Sequence, residues 1–224
     1  MKKVAIFFVL LLTVLPISAQ EVDEVSKKFG FMLVGRFSAD NYDILKLNSS
    51  VRVIFDPALR RHDLLISIEE DQSVHSSHFD YIRIREQDWD LFETQMAIVY
   101  KKFKKWSQVA AMNNDKNFMK TIASFENVGR YRVSRSFPSD IHYSAINLHA
   151  IFRVNDVGSC YLILSSSGNP KRHDYPFMLS FCDETFHNLY ELIKKENAMR
   201  NLDLVLKAIE QEELQEQAHD ALYD

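Results

Sequence analysis

The tightest constraint on the fold is a hydrophobic phase that occurs twice. Val51-Arg-Val-Ile-Phe55 aligns with Leu148-His-Ala-Ile-Phe152 at an offset of 97 residues. The same offset pairs Leu64-Leu-Ile66 with Tyr161-Leu-Ile163, and Ile82-Arg-Ile84 with Leu179-Ser-Phe181. It then pairs Trp89, Phe92 and Met96 with Phe186, Leu189 and Ile193. Upstream, Gly30, Val34 and Arg36 match Gly129, Val133 and Arg135 after a small change in loop length. Identities are few, so the weight lies on element order and apolar alternation, the signature of an internal repeat.

Each unit reads as four strands followed by a helix. The first has Val/Ile/Phe-rich strands near 30–37, 50–56, 63–69 and 79–85, separated by turn material such as Asp56-Pro57 and Asp71-Gln-Ser73. From about Gln87, Trp89, Phe92, Met96, Val99, Phe103 and Trp106 recur at spacings of three and four, one stripe along a long helix that Asn113-Asn114-Asp115 ends. Phe118, Met119, Ile122 and Phe125 suggest a short helical link over 113–128. The second unit has strands near 129–136, 143–154, 159–165 and 176–182, then a helix for which Asp183 is the expected N-cap. A further helix with Leu202, Val205, Leu206 and Ile209 runs into an acidic tail, Glu210 to Asp224.

The expected fold class is therefore α+β: a tandem duplication of a four-stranded antiparallel sheet plus helix (ββββα twice), with the helices packed on one side and a C-terminal helical tail. The domain reading is 1–19 signal peptide, 20–112 first unit, 113–128 link, 129–200 second unit and 201–224 tail. With 46% apolar residues and 16 Phe, the chain has the material for a packed core.

Residues 1–19 start Lys2-Lys3, continue apolar from Val4 to Pro16 and end Ile17-Ser18-Ala19, the three-part pattern of a cleavable secretory signal. The apolar run is short for a membrane span, and no later stretch is apolar for eighteen residues. The expected location is periplasmic or secreted, with Gln20 as the mature N-terminus. Removing 1–19 takes away two of the 27 basic residues and none of the 31 acidic ones, leaving a net charge of −6. That balance counts against nucleic acid and anionic lipid as partners, because phosphate neutralisation needs a basic surplus.

Tandem four-strand-plus-helix units resemble, in element order alone, the PUR and Whirly families. The resemblance implies single-stranded nucleic-acid binding across an open sheet face as an alternative function. No binding residue carries over, and export with an acidic balance departs from those families' setting.

Candidate chemistry is sparse. Nothing matches G-x-G-x-x-G, and Gly30 and Gly35 are followed by Arg36-Phe37 where a phosphate loop needs Lys-Ser/Thr. No G-x-S-x-G, H-E-x-x-H or C-x-x-C occurs. One group approaches metal-ligand spacing: Asp71, His75, His78 and Asp80, following Glu69-Glu70 in a hairpin loop. A polar surface loop explains it better, and a metal-dependent hydrolase there is the third reading. Lys101-Lys-Phe-Lys-Lys-Trp106 has nucleic-acid-like composition, yet on a helix Phe103 and Trp106 join the buried stripe and the lysines face water. His187 reads as a helix-surface residue. If strands 159–165 and 176–182 pair so that Tyr161 faces Phe181 and Ile163 faces Leu179, Cys160 lies opposite Cys182, and an exported chain would join them in a disulfide. The functional expectation is an exported, non-catalytic binding or assembly module of the bacterial envelope, with no cofactor and with a protein or small ligand as partner.

Overall fold

The computed structural model describes residues 23–41, 45–57, 59–69, 78–137, 139–166 and 176–220. The signal segment 1–19 lies outside these, as do His75 and Asp71. Four strands come first: β1 (Phe31–Asn41), β2 (Leu45–Asp56), β3 (Arg61–Glu69) and β4 (His78–Ile84), paired in chain order as an antiparallel meander. They are preceded by the short helix α1 (Glu24–Phe29) and followed by the long helix α2 (Glu86–Asn113). Asn114, in the left-handed region at φ 54°, ends α2 as the Asn-rich stop predicts.

Where a helical link is expected, the chain forms strand β5 (Phe118–Phe125). The cause is a bulge between Thr121 and Ala123. An extra residue in a strand resets the two-residue alternation, so Ile122 and Phe125, three apart, both point into the core. Their spacing imitates a helix stripe.

The predicted strand 143–154 is broken into β7 (Ile141–Ala145) and β8 (Leu148–Val154), and β6 (Val128–Ser134) follows β5 almost directly. Thr121 pairs with Ile151, Phe125 with Leu148 and Gly129 with Ala145, while the Ile146 amide donates to the Val128 carbonyl. Together β5–β8 form one long bent ribbon. Its β6/β7 half joins β4 and completes a curled six-stranded sheet; its β5/β8 half joins β9 (Cys160–Ser166) and β10 (Phe177–Phe181) in a four-stranded one. Across from the ribbon the two sheets meet at a single pair, Asp40 with Ser180. The fold is thus α+β with antiparallel sheets, but the second half uses six strands where the repeat predicts four.

Helices α2, α3 (Asp183–Ile193) and α4 (Lys195–Asp220) share the main core, which holds Leu64, Ile66, Ile82 and Ile84 from one sheet and Leu162, Leu164, Leu179 and Phe181 from the other. The Trp89 indole N–H donates to the Ile193 carbonyl at 2.8 Å, locking α2 to the end of α3. Helix α1 sits on the opposite sheet face, over a second cluster of Phe31, Leu65, Phe79, Tyr81, Tyr131 and Val133. The helices therefore do not all lie on one side. The cap of α3 is Cys182, with Asp183 its first residue, and α4 runs unbroken through position 201.

Candidate functional site

The site is built where α4, packed on β1, comes beside α1. The inner stripe of α4 buries Ala198, Leu202 and Val205, and Asn201 donates its amide to the Val34 carbonyl at 2.9 Å. Spaced on by three and four, the same stripe continues with Ile209 and then Glu212, Glu213 and Glu216. Apolar side chains give way to carboxylates that are exposed to solvent and line the space beside α1. The result is a half-open cleft of about 540 Å³ with Met32, Ile209 and Gly30 as its apolar floor, the three glutamates on one wall and Lys27 and Ser26 on the other.

A buried arginine holds the floor in place. Arg52, 1% exposed, sends Nη1 to Asp23 Oδ1 at 3.1 Å and to the Phe31 carbonyl at 3.0 Å, and Nη2 to Asp23 Oδ2 at 2.6 Å. Asp23 also caps α1 by accepting the Ser26 amide at 2.9 Å, and Ser26 Oγ in turn donates to the Phe31 carbonyl. Burial alone would raise the Asp23 pKa, but the hydrogen bond and charge of Arg52 outweigh it, with the Ser26 amide adding to them, and hold it at about 2. Gly30 ends α1 with φ 68°, a turn that favours glycine, and its N–H donates to the Ser26 carbonyl.

Other ion pairs in the sheets are likewise committed. Asp63, fully buried, accepts from Arg83 and pairs with Arg61, while its other oxygen takes the Glu86 amide at the start of α2. Arg83 lies over the rings of Tyr131 and Tyr143, and burial pushes the Tyr131 phenol up. Gly129 is the close approach that makes room for the Tyr143 ring, 2.2 Å from where a Cβ would stand.

The candidates singled out in sequence fall as follows. Asp80 accepts from Arg130 and Arg132, so a metal would compete with two guanidiniums for its carboxylate. His78 stands two residues away at the start of β4, and among the described residues no group of three His, Cys, Asp or Glu side chains is placed to hold an ion. Phe103 is buried, Trp106 half-buried, and Lys101, Lys102, Lys104 and Lys105 exposed; Lys104 reaches Asp183 at 2.6 Å, and that hydrogen bond raises its pKa. His187 is exposed and meets the Tyr100 hydroxyl at 3.1 Å.

The disulfide expectation is corrected: Cys160 and Cys182 are free. The register is one residue away from the expected one, with Leu162, not Tyr161, opposite Phe181 and Leu164 opposite Leu179. A slip of one turns every side chain to the other face, so Cys160 lies half-buried against the main core while Cys182 is exposed at the head of α3. In the first hairpin the expected register holds at Leu64 opposite Ile84, and a bulge between Ser67 and Glu69 shifts it towards the loop. The second hairpin keeps that shifted register throughout.

The cleft glutamates of α4 were legible as a continuation of the Leu202–Val205–Ile209 spacing. Arg52 carried no such signal, since its partner lies 29 residues upstream. Among the described residues no helix is long and apolar enough to cross a membrane. Comparison with known protein families, characterised proteins and solved structures returns no match.

Proposed function

We propose that this chain is an exported binding or assembly module of the bacterial envelope, and that its binding element is the acidic cleft between α4 and α1. The observation that carries this reading is the inward stripe of α4, whose apolar residues give way to Glu212, Glu213 and Glu216 above an apolar floor. Carboxylates there face a volume of about 540 Å³ with a single lysine, Lys27, on its lining, which suits a partner bringing positive charge on an apolar stem. The signal-like segment 1–19 supports export.

The test is titration with a short lysine-rich peptide followed by calorimetry. Binding is expected to weaken as salt rises, because charges near the surface are screened within about 8 Å at physiological ionic strength. Changing Glu212, Glu213 and Glu216 together to Gln should weaken it about tenfold, at a few tenths to 1 kcal/mol per exposed contact. Binding that ignores both salt and these substitutions sinks the proposal.

The open-sheet nucleic-acid reading gains less support, since Arg52, Arg61, Arg83, Arg130 and Arg132 on the strands are all paired with Asp23, Asp63 or Asp80. A duplicated origin of the two halves remains part of the proposal. In its favour, β2–β3–β4 and β8–β9–β10 pair in the same order, and β5 stands beside β8 as β1 stands beside β2. Strands β1 and β5 each carry a bulged residue, Val34 and Ile122, turned into the same core; the segment from Gly129 matched in sequence to the one from Gly30 is β6 instead. An experimental structure in which 51–96 and 148–193 fail to superpose would remove it.

A further inference from the structure

We propose that the outward face of α2 is a docking surface for the acidic end of α4 from a second copy of this chain. The inference rests on the reading of α4 given above and names its partner. Helix α2 carries two stripes. One is buried, with Trp89, Phe92, Met96, Val99 and Phe103. The other faces solvent: Leu91, Ile98, Lys105 and Met112 lie seven apart along one line, with Val109 beside them. Ile98 is 48% exposed and Met112 74%. Lys101, Lys102 and Lys105 share this outer face and are exposed. Apolar side chains bordered by lysines on an otherwise complete helix mark a contact surface.

Charge identifies what covers it. Residues 100–113 hold four Lys and no Asp or Glu, and of these Lys104 is already paired with Asp183. Residues 210–220 hold five acids and no Lys or Arg. Three outward lysines with Ile98, Val109 and Met112 thus match three glutamates with Ile209 and Met32, in both charge and apolar content.

The two surfaces cannot meet within one molecule. Helices α2 and α4 touch near their N-terminal ends, where Lys195 reaches Asp90 and its amide donates to Glu93. From there α4 crosses β1 towards α1 while α2 runs to β5. Strands β1 and β5 stand four places apart in the strand order, so the acidic end of α4 and the lysines of α2 lie over different parts of the fold. Contact therefore requires a second copy. The two patches differ, so they meet either twice, in a reciprocal two-fold pair, or once per contact, in a head-to-tail ring or filament of copies.

Sedimentation of the purified protein, as processed by its host, tests this with two charge-reversal sets. One is Glu212→Lys, Glu213→Lys and Glu216→Lys; the other is Lys101→Glu, Lys102→Glu and Lys105→Glu. All positions are exposed, and circular dichroism verifies that each variant is folded. The unaltered protein should self-associate at micromolar concentration and dissociate as salt rises. Each set alone should weaken association at least tenfold, and an equal mixture of the two should restore it. A protein that stays monomeric at about 100 μM in low salt, or association indifferent to either set, overturns the inference. So does a mixture that fails to recover. Adsorption to vesicles of anionic lipid, lost in the lysine set without any self-association, would assign the face to a membrane and also overturn it. If self-association is absent while the lysine-rich peptide still binds the cleft, this inference fails and the function proposed above stands. If neither occurs, both fail.

Discussion

Replacing Asp23 by Asn isolates the charge of the pair that supports the cleft floor. Asn is as good an N-cap as Asp, so the bond from the Ser26 amide to α1 is kept and only the negative charge is lost. The pKa of Asp23 falls from 3.8 to about 2 on folding. At about 1.4 kcal/mol per pH unit this corresponds to roughly 2.4 kcal/mol, reduced to about 2 because the carboxylate is 21% exposed and partly screened. Stripping the counterion from a buried charge can cost 3–5 kcal/mol, as a rough range. The lower figure applies here, since Arg52 keeps the Phe31 carbonyl, and an Asn oxygen still accepts from it. The sign follows from the depressed pKa. The stabilisation is fully present above the unfolded value near 4 and is lost as pH falls towards 2. Urea unfolding followed by the fluorescence of buried Trp89 should therefore show the variant about 2 kcal/mol less stable at pH 6, about half that at pH 3, and level with the parent only below pH 2. Equal midpoints at pH 6, or a gap unchanged at pH 3, would refute the role given to the Asp23–Arg52 pair.

Three further outcomes follow. A Cβ at Gly35 would lie 2.2 Å from Leu192 Cδ2, so Gly35→Ala must displace the Leu192 side chain from its packing at the end of α3 and should cost about 1–3 kcal/mol by urea titration; an unchanged midpoint would show that Leu192 repacks freely. Folded, non-reduced protein should titrate two thiols, Cys182 rapidly and half-buried Cys160 more slowly, whereas titration of neither would restore the disulfide. Lys104→Met removes an exposed ion pair with Asp183, both partners about half accessible, and should shift stability by less than about 0.5 kcal/mol; a larger loss would mean the pair matters more than surface bridges do.

What could be read without coordinates is what depends on local alternation. The strands, the buried face of α2, the Asn114 stop and the exposed lysines all follow from side chains whose surroundings are set by residues two to four positions away. Bulges escape that reading, because one inserted residue at Ile122 lets a strand carry the spacing of a helix and hides β5. Register escapes it as well. Tyr161 and Leu162 are both apolar, either satisfies Phe181, and only packing against the rest of the core chooses between them, so the cysteines part by a single residue. Long-range pairing is the third limit: β6 joins β4, β8 joins β9 and Arg52 finds Asp23 through closure of the whole layer. The acidic stripe of α4 lies between these cases. Its periodicity is local, but which way it faces was decided by Ala198, Leu202 and Val205 seating the helix on the core.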